Sequence, residues 1–315
     1  MAAASTMTRP GNQGRPASGQ GRPPDGQRSL SAGPSGRRES RTARGIYAVV
    51  GTVLGVLFIA PLVWAVLRSF QTETAITSAP TVSDVTHLTI TNYQQLISGT
   101  IDILHYVANS LIVAVGTAIL TAVLATADGY GFGRFRFRGR GLIFAVTLLA
   151  LMVPYQAILT PAFLELNFLH LTNSLVGLVF FYATFNLPFG VFVMRNTFSQ
   201  IPAEIEESAR VDGAGTLTTL WQVMRPLVTP GIATTVLYAF LFAWTEFLAA
   251  LTFLTQQGKY TFPVALLNVE TGTFGTVNYG YLVAGAVIAM VPCVILYLAL
   301  QRYYVQGLMS GAVKG

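Results

Sequence analysis

The sequence predicts an all-α membrane protein that crosses the bilayer six times, and three observations support this prediction. First, 52% of the 315 residues are hydrophobic and only 10% are charged, with a mean hydropathy of +0.56. Soluble domains carry about 25% charged residues. Second, six apolar runs approach or exceed the roughly 20 residues that a helix needs to cross the hydrocarbon core. Third, lipid offers no partner to backbone amides, so each span must be helical.

The predicted spans are named in chain order, after a separate tail. Residues 1–44 are rich in Gly, Pro, Ser and Arg and show no hydrophobic periodicity, which predicts a disordered basic tail. An Arg- and Ser-rich start with few acids is also compatible with a transit peptide. Residues 45–315 form the predicted transmembrane domain, with spans at about 46–67, 106–127, 141–164, 171–194, 226–250 and 277–301.

The distribution of charge predicts the orientation of these spans. The tail carries eight arginines against Asp25 and Glu39, which accounts for the whole formal net charge of +6. If the N-terminus is inside, 17 of the 19 Lys and Arg residues fall in inner segments, and Arg68 and Lys259 lie outside. This bias places both termini and the loop at 199–226 in the cytoplasm, in a multi-pass protein of the plasma membrane. The neutral body leaves no basic groove for nucleic acid.

Several kinds of chemistry are disfavoured by the residues available. Cys293 is the only cysteine and the three histidines are isolated, so we expect neither an internal disulfide nor a metal site, and no cofactor. The sequence contains no paired acid site and no G-x-x-x-x-G-K-[ST] phosphate loop, so catalysis and ATP binding are expected on another chain. The series Gly129, Gly131 and Gly133 follows no predicted strand and is interpreted as close helix packing.

The loop at 199–226 interrupts the apolar sequence with local helix signals. Pro202 is suited to the first position of a helix, and the glutamates at 204, 206 and 207 suit its positive N-terminal end. Glu206 and Arg210 are spaced for an i,i+4 ion pair. Gly213 is predicted to end the helix with a positive φ. A second short helix, capped near Gly215, is predicted to fold back and end at Pro226.

Three groups of residues in this loop have fixed spacings: Glu207-Ser208-Ala209, Gly213 after three residues, and Val223-Met224-Arg225-Pro226 after nine more. The arrangement resembles the E-A-A-x3-G-x9-I-x-L-P signature of the permease subunits of binding-protein-dependent ABC importers. Ser208, Arg225 and Gly215 depart from the family pattern. Stretches at 109–118, 132–140, 243–253 and 306–315 resemble the carbohydrate-uptake, maltose-type branch, and the resemblance covers roughly residues 46–315. Thr245 departs from the W-N-E-F pattern of that branch.

The resemblance implies a type I importer permease fold and a division of labour among several chains. The implied partners are a second homologous permease subunit, a dimer of ABC ATPase subunits and an extracellular sugar-binding protein or lipoprotein, with lipid around the spans. The loop would couple ATP hydrolysis to sugar translocation, and residues 310–315 would also contact the ATPase. The residues implied in coupling are Glu207, Ser208, Ala209, Asp212, Gly213 and Pro226.

A sugar path must lie between helices, because polar groups at membrane depth need partners or water. Aromatic faces can pack on sugar rings, while amides and carboxylates pair with hydroxyls. An interhelical hydrogen bond or an interfacial aromatic anchor is the alternative role of each candidate. Pro154, Pro161 and Pro188 are placed to kink helices around such a path. The candidates are Tyr155 with Gln156, Tyr182 with Asn186, and Trp244 with Glu246.

Other transporter classes fit less well. A secondary transporter or channel needs ionisable groups within the membrane and is often built from inverted repeats. Glu246 and Asp128 are the residues nearest to that role, and no repeat is visible in the sequence. Importers of polyamines or oxyanions share the loop signature and are the second hypothesis for the substrate.

Overall fold

The computed structural model describes residues 41–78, 88–98, 102–271 and 277–312, and every regular element in these ranges is a helix. The predicted all-α class is therefore confirmed. The chain divides into two units, residues 1–55 and 56–315. In the first unit the described residues, 41–55, form the beginning of α1 (Arg41–Ser69). The rest of the predicted disordered tail lies outside the described residues, as do residues 313–315 of the predicted ATPase contact.

Five helices are long and apolar enough to cross a membrane, and each overlaps a predicted span. They correspond to α1, α4 (Ile103–Arg134), α7 (Leu175–Ser199), α10 (Arg225–Thr245) together with the helical turns before it, and α13 (Tyr279–Ala312). Shorter helices connect them. These are α2 (Glu73–Thr77), α3 (Thr91–Ser98), α5 (Arg140–Leu149), α6 (Tyr155–Phe168), α8 (Ala203–Val211), α9 (Thr216–Thr218), α11 (Leu248–Phe253) and α12 (Phe262–Glu270).

The span predicted at 141–164 is present as two helical halves, with a break at Pro154, one of the prolines named as a possible kink. Helix α5 continues as a 3₁₀ turn to Met152, and α6 then leaves at an angle of 104°. A proline disfavours helical geometry in the residue before it, and Val153, which precedes Pro154, is extended with φ −74° and ψ 124°. The pair makes a sixth span if the two halves are counted together. Pro161 and Pro188, by contrast, lie inside continuous helices.

Helices α4, α7 and α10 pack closely on one another through glycines. A Cβ added at Gly129 would lie 2.9 Å from the backbone nitrogen of Arg195, and one at Gly133 would lie 2.8 Å from the Cβ of Phe198. The packing role predicted from the glycine series is confirmed at these two positions. A Cβ at Gly131 would meet no described atom within 4 Å, so that glycine does not take part. Small residues thus bring the backbones of α4 and α7 into direct contact.

Two clusters of buried side chains fill this three-helix core. One surrounds Tyr182, Phe181 and Trp244 and includes Phe253 of α11. The other lies where α4 and α7 end, around Tyr130, Met194, Phe198, Leu220 and Met224. Much of α13 instead exposes its apolar side chains, including Val294, Ile295 and Leu298. Such faces are expected on helices that contact lipid or another membrane chain.

Candidate functional site: the loop at 199–226 and the Glu246 region

Helix α8 ends in a motif that depends on glycine. Gly213 has φ +81°, and its N–H donates to the carbonyl of Arg210 at 3.0 Å. The N–H of Ala214 donates to the carbonyl of Ala209 at 2.9 Å. These two bonds form a Schellman motif with Gly213 at the C′ position. The predicted helix stop is confirmed, while Pro202 precedes the helix as its N-cap instead of occupying the first helical position.

The second short helix predicted after Gly215 is not a separate element. Helix α9 passes into a π-helical stretch, Thr219–Met224, which runs directly into α10. Pro226 lies at the start of α10, where the π-helical stretch ends, as predicted for the junction, but the helix continues through it without a break. A local change to π-helical bonding can accommodate the backbone groups that a proline leaves unpaired. The result is one helix of 30 residues, Thr216–Thr245.

Glu206 holds α8 against the end of α4. Its side chain is buried, and its Oε1 accepts hydrogen bonds from the Tyr130 hydroxyl at 3.0 Å and the Arg210 guanidinium at 2.6 Å. Arg134 Nε lies 3.5 Å from Oε2 as an ion pair, and the guanidinium also donates to the carbonyl of Ile201 at 2.8 Å. The i,i+4 pair with Arg210 was predicted. The contacts with Tyr130 and Arg134 were not, because no local pattern links residues 76 and 72 positions apart.

The residues implied in ATPase coupling are mostly exposed on this loop. Glu207, Asp212, Gly213 and Pro226 are exposed, as is Ser208, whose hydroxyl donates to the carbonyl of Ile205 at 3.0 Å. Ala209 is buried beneath α8. The structure therefore brings five of the six predicted residues to the surface of one helix-turn-helix segment.

The same segment exposes apolar side chains that the sequence analysis did not single out. Val211 is 86% exposed, Leu217 73% and Trp221 52%. The Arg225 guanidinium lies 5.3 Å from the centre of the Trp221 ring. A cluster of exposed large apolar residues beside charged ones is typical of a protein-contact surface. The signal available in the sequence was the occurrence of large apolar residues in a loop that is otherwise polar and charged.

The candidates for the sugar path divide into two groups. Tyr182 donates its hydroxyl hydrogen to the Glu246 carboxylate, and Tyr155 lies nearby, with both tyrosine rings packed edge-on against Phe242. The Glu246 carboxylate also accepts from the N–H groups of Leu248 at 2.7 Å and Ala249 at 3.0 Å. Glu246 thereby caps α11 and joins it to α7.

The other candidates do not join this group. Asn186 is buried, and its amide donates to the carbonyl of Tyr182 at 2.7 Å. The Trp244 ring is stacked between Phe240 and Phe262, and its Nε1 donates to the carbonyl of Ala289 at 3.0 Å. Gln156 is exposed at the start of α6. Within the pairs 155 with 156 and 244 with 246, the side chains thus differ in exposure or in bonding partner.

A cavity beside α6 and α7 was not anticipated. It has a volume of about 410 Å³ and is lined by residues that include Glu165, Phe180, Phe181 and Thr184. Aromatic rings with a carboxylate and a hydroxyl offer the groups that contact sugars. The sequence indicated this cavity only weakly, because Glu165 lies directly after the predicted third span and was therefore not considered as part of a path within the membrane.

Known proteins resemble the chain over most of its length. Residues 118–310 match the family described as binding-protein-dependent transport system inner membrane component. The chain is 31% identical to the trehalose/maltose transport system permease protein MalG of Thermococcus litoralis, over 86% of this chain and 97% of that protein. It is also 31% identical to the diacetylchitobiose uptake system permease protein NgcG of Streptomyces coelicolor, over 82% and 85% of the two chains.

A solved structure shares the fold. It is a chain of a bacterial ABC transporter involved in the import of the acidic polysaccharide alginate, with a TM-score of 0.70 and 23% identity. The match covers 84% of this chain and 98% of that one. The resemblance drawn from the loop signature is confirmed over most of the chain. The protein therefore belongs to the binding-protein-dependent transport system inner membrane components, the permease subunits of ABC importers.

Proposed function

We propose that this chain is one of two permease subunits of an ATP-driven importer of sugars or short oligosaccharides. The observation that carries the proposal is the exposed, glycine-capped turn between α8 and α9. The backbone hydrogen bonds of this turn hold its shape in the absence of a partner. Its exposed charged and apolar side chains are available to contact a partner protein. The sugar substrate is inferred from relatives named for trehalose, maltose and diacetylchitobiose.

In this proposal α8 docks in a cleft of an ABC ATPase subunit. Glu207 and Asp212 supply charged contacts, and charge-assisted hydrogen bonds are the stronger kind. Val211, Leu217 and Trp221 bury apolar surface against the partner, and Gly213 permits close approach. Closure of the ATPase dimer on ATP would draw two such loops together and switch the attached helices between two packed states. A binding protein outside the cell would deliver the sugar.

The sugar path is proposed to pass beside α6 and α7. Tyr155 and Glu246, which are partly exposed, form its polar wall, and the buried Tyr182 bonds to Glu246 from behind it, with the cavity next to Glu165 and Thr184 as its continuation. Glu246 orients the Tyr182 hydroxyl and caps α11, so its contribution to the path is to hold that wall in position. Gln156 is exposed near the bend and is available to sugar hydroxyls, whereas Asn186 and Trp244 support the wall from within.

Replacing Glu246 by glutamine is expected to lower both uptake and stability. Glutamine keeps one acceptor oxygen but places an amide beside backbone N–H donors, so at least one capping bond to α11 is lost, at about 1 kcal/mol. Uptake of labelled trehalose, maltose and diacetylchitobiose, here called the sugar panel, would be measured with the melting temperature of the purified complex. Glu270→Gln, exposed at the end of α12 and outside the proposed path, serves as the control. If Glu246→Gln showed wild-type uptake and a wild-type melting temperature, Glu246 would have no role in the proposed polar wall.

In the proposed orientation, the loop at 199–226 lies in the cytoplasm. A cysteine at position 212, introduced after Cys293 has been replaced, is expected to resist an impermeant thiol reagent added to intact cells and to react in inverted vesicles. Thr255→Cys, on the exposed segment after α11, should show the opposite pattern. Labelling of position 212 from outside intact cells would contradict the orientation.

A further inference from the structure

We infer that the two consecutive glutamates of α8 have different roles: Glu206 clamps α8 to α4, and Glu207 is left for the ATPase. This inference rests on the proposed function, because the clamp matters only if α8 is moved by a partner. The side chain of Glu207 is exposed, whereas Glu206 is 5% exposed and points into the protein. The two residues therefore cannot serve the same surface.

The clamp, defined as Glu206, Tyr130, Arg134 and Arg210, is held by several polar contacts. Tyr130 and Arg210 both donate to Glu206 Oε1, and Arg134 faces Oε2. Arg134 bonds in addition to the carbonyl of Ile201, just before α8 begins. A buried carboxylate requires such partners, since an uncompensated buried charge is strongly destabilising. These contacts fix α4 both to the segment just before α8 and to Glu206 within α8.

The connectivity of the chain shows why this contact is needed. Helix α8 is joined to α7 by the three residues 200–202, and to α10 through the turn and the π-helical stretch. Motion of α8 therefore reaches α7 and α10 through the backbone. Helix α4 is 68 residues earlier in the chain, counted from Arg134 to Pro202. Besides its packing against α7 and α10, α4 meets the α8 region directly through side chains, and in the described residues those of Tyr130 and Arg134 bond to it.

The clamp also contacts the part of α4 that packs closely against α7. Gly129 and Gly133 bring α4 into backbone contact with α7 within one turn of Tyr130. A displacement applied at Tyr130 is thereby imposed on the α4–α7 pair as a unit. Loss of the clamp should let α8 turn about its backbone connections while the pair remains in place. Hydrolysis of ATP would then continue without a matching movement of α4.

The direct test measures the distance between α8 and the loop that directly follows α4. Nitroxide labels at positions 204 and 138, both exposed, are introduced into the assembled complex and followed by double electron–electron resonance. Glu206→Gln is expected to broaden the distance distribution at least twofold. Tyr130→Phe, which keeps the ring and removes one hydrogen bond, should broaden it less. An unchanged distribution in Glu206→Gln would overturn the clamp.

A second measurement separates coupling from folding. In reconstituted vesicles containing the ATPase and the binding protein, Glu206→Gln is expected to lower the sugar transported per ATP hydrolysed at least tenfold, with the ATPase still bound. The matched control is Glu204→Gln, exposed on the same helix, which should leave this ratio unchanged. Reduced ATPase binding with an unchanged ratio would assign Glu206 to docking and overturn the inference.

The two arms also separate this inference from the proposed function. Should the wild-type chain bind no ATPase, the proposed function fails, while the label distances measured on the permease pair still report on the clamp. If Glu206→Gln does not assemble, the pair Tyr130→Phe and Arg134→Gln is used. Additive effects of these two substitutions on the transport ratio would contradict a shared clamp, because members of one network are expected to be non-additive.

Discussion

The combination of Gly213→Asp with Glu207→Lys is expected to abolish sugar uptake while leaving the permease inserted and paired. Gly213 has φ +81°, where a residue with a side chain costs about 1 kcal/mol or more. A Cβ there would meet no described atom within 4 Å, so the chain itself offers no clash. The side chain instead enters the space proposed for the ATPase, and the lysine reverses the charge of a proposed contact.

The measurement combines uptake of the sugar panel with a pull-down of the ATPase subunit. Gly215→Asp is the matched control, because Gly215 has φ −70° and a Cβ there would likewise meet no described atom within 4 Å. It introduces the same side chain two residues away without backbone strain. Wild-type uptake by the Gly213→Asp/Glu207→Lys variant would show that the turn is an ordinary loop, and the proposed coupling would lose its basis.

Gly129→Leu is expected to prevent the permease from folding. Its Cβ would lie 2.9 Å from the backbone nitrogen of Arg195, and backbone atoms cannot move aside as a flexible side chain can. Overpacking of a close interface costs about 1–3 kcal/mol and sometimes more. Here α4 and α7 would have to separate, which also disturbs the contacts of α10.

The amount of folded permease would be measured by fluorescence-detected size-exclusion chromatography of detergent extracts. Gly131→Leu is the control, since it lies on the same helix and a Cβ there meets no described atom within 4 Å. It should give a normal monodisperse peak. A normal peak for Gly129→Leu would mean that α4 and α7 are not held in backbone contact.

The sequence predicted those features that depend on local chemistry. Apolar run length located five long helices, and Gly213 marked the end of α8, because both signals act within a few residues. Pro154 was ambiguous, since a proline can either kink a helix or end it, and the outcome depends on the packing of α5 and α6. The roles of Glu206 and Trp244 were set by partners far away in the chain, Tyr130 and Ala289. Hydrophobic periodicity, which acts within one helix, does not predict contacts between residues so far apart in the chain.

The continuous helix from Thr216 to Thr245 has a mechanical consequence. Thirty residues at 1.5 Å each make a rod about 45 Å long. One end is the turn proposed to meet the ATPase, and the residue after the other end is Glu246, bonded to Tyr182. Rotation of the first end would therefore be transmitted to the second end through one continuous helix. The π-helical stretch lies near the first end of this lever, so its stiffness would set how much of a movement imposed by the proposed ATPase partner reaches Tyr182.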